Sequence, residues 1–203
     1  MQSGVYSGVV TNSTDTLSFD ATFLRGVTPT DEDGVAQMIS IFSGHYEGRA
    51  THVHFIDNYG GAVLANRTYS GGSVAHVGQF FFDQSIITKV EKVDSYAVNT
   101  QGITLNKDDK WFEVTAERDY DPIMSYALLG ESVEDGVFVW ISLAVDMKAA
   151  QEVEEAATLT ANGGVVSKGA IGNGAGTDSS ASTIRQITSL LGGALAMLVV
   201  LVL

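Results

Sequence analysis

No cysteine occurs among the 203 residues. That excludes a disulfide scaffold and every thiolate metal site, so any metal must be held by nitrogen and oxygen donors. Basic residues are scarce, with 11 Lys and Arg against 24 Asp and Glu and a net charge of −13. That disfavours nucleic acid and anionic membrane surfaces as partners, because both are bound through basic patches. Proline is nearly absent, 2 residues against 22 glycines, so the loops are not stiffened. The opening residues, Met1 to Tyr6, show neither a basic n-region nor an apolar h-region, the two marks of a secretory signal. What remains is a chain with 45% apolar and 17% charged residues, which is globular in composition and long enough for one core.

Short β-rich runs dominate to about residue 145: Val5–Val10, Gly34–Ile41, Thr51–Ile56, Ser73–Phe82 and Gly136–Val145. Turn signals such as Asp33-Gly34, Tyr59-Gly60-Gly61 and Asp135-Gly136 separate them. This spacing predicts an all-β domain, an antiparallel β-sandwich with short helices. One helix is expected after Asp83 as N-cap, with Ile86, Ile87, Val90 and Val93 at helical spacing. A helical turn is expected at Trp111-Phe112, and a short helix over Lys148–Glu155.

Three regions are expected. Residues 1–160 form the β-domain. Residues 161–183 are rich in Gly, Ser, Ala, Asn and Thr and read as a flexible linker. Residues 184–203 end in a wholly apolar run, Leu190 to Leu203, shorter than the roughly 20 residues a spanning helix needs. Small residues, then a polar spacer, then this tail match the order of a GPI-attachment signal; a C-terminal membrane helix from Ile184 is the other reading. Both make the membrane a partner and place the protein outside the cell or at its surface. Asn12-Ser13-Thr14 and Asn66-Arg67-Thr68 are glycosylation acceptors in sequence and point the same way.

The chemistry concentrates in Gly44-His45-Tyr46-Glu47-Gly48-Arg49-Ala50-Thr51-His52-Val53-His54-Phe55. On a strand, His52 and His54 share a face and can present two imidazoles to one metal, while Val53 and Phe55 face a core. Imidazole suits iron, zinc, copper or nickel, so the pair alone names no metal. Tyr46 lies just before the strand, within reach of the same face if the loop folds back. A phenolate is a hard anionic oxygen that suits a trivalent ion better than zinc. His45 is expected to point away and be exposed. His76 is expected to be structural.

Taken with Phe23-Leu24-Arg25-Gly26 and Thr30-Asp31-Glu32-Asp33-Gly34, this stretch resembles the intradiol ring-cleavage dioxygenase family, in particular its fungal extracellular branch. Gly4-Val5-Tyr6-Ser7, Val77-Gly78-Gln79-Phe80-Phe81-Phe82-Asp83 and Leu128 to Trp140 resemble further segments of that family in order. The resemblance covers about residues 4–160 and leaves out the linker and tail. It implies an Fe(III) cofactor held by Tyr6, Tyr46, His52 and His54. Tyr6 and His52 would be equatorial, Tyr46 and His54 axial, with hydroxide completing the coordination. A catechol-type diphenol would displace hydroxide and the Tyr46 phenolate. Dioxygen would then open the ring between the two hydroxylated carbons, giving a muconate-type diacid. Arg49 would stabilise negative charge on the substrate ring, and Gln79 would orient groups around the reacting carbons. Family members carry substantial sequence before the first tyrosine. The N-terminal part of the domain, with its signal peptide, is therefore expected to be missing here. Two other readings stay open: a non-catalytic binding module of the same ancestry, and a zinc or copper protein using His52 and His54 alone.

Overall fold

The structure is a computed structural model, and it describes residues 24, 26–65, 68–116, 120–153, 157–160, 162–166 and 194–202. Val5–Val10, the two glycosylation acceptors and most of the expected linker lie outside these residues. The described chain is mostly β. In order it runs β1 (Val35–Ser40), β2 (His52–Tyr59), β3 (Ala62–Val63), β4 (Tyr69–Ser70), β5 (Ser73–Phe81), α1 (Gln84–Val90), α2 (Asp94–Ala97), α3 (Lys110–Ala116), β6 (Ser125–Leu128), β7 (Val137–Val145), β8 (Ala157–Thr160), β9 (Gly163–Val166) and β10 (Ala194–Val202).

One sheet has the order β1-β10-β7-β6, and β2 pairs with β5 in another. All the pairings are antiparallel except β1 with β10. Alternation along β7 is clean: Val137, Val139 and Ile141 are buried. They share one core with Phe42, Phe80, Phe82, Met124 and the α1 residues Ile86, Ile87 and Val90. Val53 and Phe55 of β2 pack against it. That leaves His52 and His54 on the opposite face of their strand, because successive side chains alternate.

Local signals explain most boundaries. Asp31 Oδ1 accepts from the amides of Asp33 and Val35, and Gly34 takes φ +78°, so the chain turns into β1 there. Asp83 caps α1 by accepting from the Ser85 amide. Two expectations differ from what is observed. Lys148 to Val153 form no helix; Gln151 instead bonds the backbone of Val74 and Ala75, extending the edge of β5. Gly163–Val166, expected in the linker, pairs with β8.

The apolar tail is placed as β10, parallel to β1 and antiparallel to β7 along its whole length. Its Val- and Leu-rich composition suits a strand. No helix among the described residues is long and apolar enough to cross a membrane.

Gly78 lies directly across from Phe55 in the β2–β5 register. A Cβ there would run into the Phe55 ring, whose other neighbours are Phe80, stacked at 4.0 Å, and His76 at 5.3 Å. The stacked neighbours limit how far the half-buried ring can yield. Gly78→Ala should therefore destabilise the fold by about 1–3 kcal/mol, as overpacking does. A shift of the urea midpoint measures this, and an unshifted midpoint would contradict the packing.

Candidate metal centre

The loop between β1 and β2 folds back at Gly48, which takes φ +82°, and a single bridge pairs Tyr46 with Arg49 across the turn. Tyr46 is thereby returned toward the exposed face of β2. Its hydroxyl lies 3.5 Å from His52 Nε2, with the rings edge to face at 5.8 Å. His52 Nε2 lies 3.1 Å from His54 Nε2. Two nitrogen ligands of one ion, each ~2.0–2.1 Å from it and roughly 90–110° apart, stand about 2.9–3.4 Å from each other. The imidazole pair already has that spacing.

The tautomer is set by the backbone. His52 Nδ1 is 2.6 Å from the carbonyl oxygen of Ala50, which can only accept, so Nδ1 carries the proton. Nε2 is left with its lone pair toward His54 and Tyr46. This is the arrangement by which proteins orient a ligating histidine. Burial, then the nearby Arg49 cation, then His54, push the His52 pKa down to about 3. His54 is lowered to about 4 by crowding around its ring and by Arg49, although one side of it is open to solvent. Both imidazoles are therefore neutral near pH 7, as metal ligation requires.

Arg49 spreads its guanidinium over three partners. Nε donates to Asp109 Oδ2 at 2.9 Å, Nη2 to Gln79 Oε1 at 2.5 Å, and Nη1 reaches the Tyr46 hydroxyl at 3.5 Å. Gln79 stands directly across the ladder from His54. A fixed cation stands beside the Tyr46 oxygen. The structure thus brings together Tyr46, Arg49, His52, His54 and Gln79. Tyr6 lies outside the described residues. His76 is on the other face, stacked on Phe55.

Two residues were not anticipated. Asp109, whose side chain is fully buried, accepts from Arg49 Nε and the Ala50 amide through Oδ2, and from the Trp111 and Phe112 amides through Oδ1. It caps α3 and holds the site arginine at once. Asp109 immediately before a helical turn is a capping signal, and it was the clue available. His45, expected to be exposed, is 1% exposed. It does point away from Tyr46, but into the protein, where α1 and the segment after α2 cover it.

Among the described residues no three His, Asp or Glu side chains converge as a metal site. The donor set is instead two imidazoles and a phenol. A phenolate in that set would suit a hard trivalent ion better than zinc. Compared with protein-family models, with curated proteins and with solved structures, the chain finds no match in any of the three.

Two outcomes are expected. Asp109→Ala removes one partner of a buried ion pair together with a helix cap, and should cost about 3–5 kcal/mol. Asp109→Asn, which retains an acceptor oxygen, should cost less, and denaturant titration of both variants ranks them. In the metal-free protein, both histidines bind protons more weakly folded than unfolded. Stability should be full above about pH 6.5 and fall as pH drops through 6.5 toward 4. Thermal unfolding across that range reads the slope, and His52→Asn should flatten it.

Proposed function

We propose that this chain is an Fe(III)-dependent intradiol ring-cleavage dioxygenase acting on a catechol-type diphenol. The observation that carries the reading is the convergence of the His52 and His54 Nε2 atoms with the Tyr46 hydroxyl, beside an oriented Arg49. It agrees with the resemblance of residues 44–54 to that family. The finer fold, the family's antiparallel sandwich, belongs to the same proposal.

His52 and His54 would hold the ion through Nε2, Tyr46 through its phenolate oxygen, and Tyr6 as a further ligand. The ferric ion, when bound, supplies the electron withdrawal that makes a catecholate reactive toward dioxygen. The residues of the chain do the rest. The Ala50 carbonyl keeps the His52 proton on Nδ1. Tyr46 would hold or release a proton at its hydroxyl oxygen, beside Arg49 Nη1. Arg49 offers a fixed cation to the anionic ring, and Gln79, bonded to Arg49 and opposite His54, holds that cation in place. Both atoms of dioxygen would end in the product, a muconate-type diacid, so no external reductant is needed.

The protein would work at the cell surface, anchored through its C-terminal apolar run. A tail removed as an anchor signal is not available to pair as β10, so the two placements exclude one another in a single molecule.

Addition of Fe(III) to the metal-free chain should produce a visible tyrosinate-to-iron charge-transfer band and catechol-dependent oxygen uptake. Tyr46→Phe should weaken the band, and Tyr46→Phe with Tyr6→Phe should abolish it. Colourless protein that binds zinc or copper with equal stoichiometry would sink the ferric reading and favour a site made by the histidines alone.

A further inference from the structure

Outside the ligand set, a buried polar cluster lies around His45. Its Nε2 is 3.0 Å from the carbonyl oxygen of Gln101, which only accepts, so Nε2 carries a proton. Its Nδ1 is 2.8 Å from Glu91 Oε1. Asn99 Nδ2 also lies 3.5 Å from Nδ1. Glu91 Oε1 is sealed from solvent and has no ordinary hydrogen bond, so the contact with His45 is what compensates it. The main chain of His45 is held as well, because Asn99 Nδ2 donates to its carbonyl at 2.9 Å. On the same side, the Tyr96 hydroxyl donates to the Phe42 carbonyl at 2.7 Å. Every one of these anchors comes from residues 91–101.

The cluster is costly in isolation. A buried polar pair gains little over apolar packing, and an acidic residue at a helix C-terminus opposes the helix dipole. Glu91 occupies that position, the C-cap of α1. What such a pair confers is register. The residue after His45 is Tyr46, and neighbours on an extended segment project to opposite sides. Driving His45 into the protein therefore turns Tyr46 out toward His52. Past Tyr46 the chain is held again, through Arg49 and Ala50 on Asp109.

We propose that His45, clamped by Glu91 and the Gln101 carbonyl, is a positioning residue that sets Tyr46 against His52. The proposal rests on the reading of Tyr46 as a metal ligand, and it deepens that reading by naming what aims the tyrosine. His45 touches neither metal nor substrate. Its effect on the centre runs through one turn of backbone, and misplacement by about 1 Å is enough to degrade such a site.

The test uses the full chain with His45→Ala, Glu91→Ala and Glu91→Gln. In the metal-free protein, proton NMR reads the cross-relaxation between the Tyr46 and His52 rings, with the Phe55–Phe80 pair as the core reference. Glu91→Ala and His45→Ala should lose at least about two-thirds of the Tyr46–His52 signal while the core signal stays. Glu91→Gln, whose amide can donate to Nδ1, should retain both. Fe(III) affinity should fall roughly 10- to 100-fold in the two alanine variants, the usual range when a partner outside the ligand set is lost. An unchanged ring signal in Glu91→Ala overturns the proposal. So does loss of the ring and core signals together in both alanine variants, since the clamp would then hold the whole fold rather than the tyrosine. If wild-type chain binds no Fe(III), the ferric reading fails, and the ring signals still decide the role of His45.

Discussion

The Asp109 carboxylate is the contact on which the rest of the site depends. Four donors converge on it, two from the start of α3 and two from the loop entering β2. A buried carboxylate is tolerated only when its oxygens are matched by donors, so Asp109 obliges the loop, the helix and Arg49 to take one mutual arrangement. The turn before it is fixed in its own right, because Asn106 donates through Nδ2 to the Phe82 carbonyl and through its backbone amide to Gln84 Oε1. The position of Arg49 is thus transmitted from the core end of β5.

Around that contact, the fold divides labour between the two faces of β2. The inner face carries Val53 and Phe55 into the shared core. The outer face carries His52 and His54, with Gln79 across the ladder. A one-residue slip would exchange the faces, turning the imidazoles into the apolar core and the apolar side chains out of it. The apolar pattern that stabilises the sheet therefore also keeps the two histidines together. Stability and site geometry share one register.

The loop carrying Tyr46 is held at both ends, by His45 on one side and by Arg49 and Ala50 on the other. Both anchors belong to residues 91–109, a segment of short helices and turns with little apolar burial of its own. Its contribution is polar: Glu91, Asn99, the Gln101 carbonyl and Asp109 supply fixed acceptors and donors to a loop that has no ladder to fasten it.

From the sequence by itself came the mostly-β character, the strands β1, β2, β5 and β7, the Asp83 cap and the facing of His52 and His54. All of these follow from local periodicity or a neighbouring turn residue. The grouping of Tyr46, Arg49 and Gln79 around that pair was legible only through resemblance to a family, since nothing local fixes how a loop folds back. Tertiary structure alone decided the burial of His45, the double duty of Asp109 and the pairing of the apolar tail with β1 and β7. Each of these joins residues far apart in the chain. Hydrophobic periodicity says which side of an element is buried, but it does not say which distant donor will meet a buried acceptor.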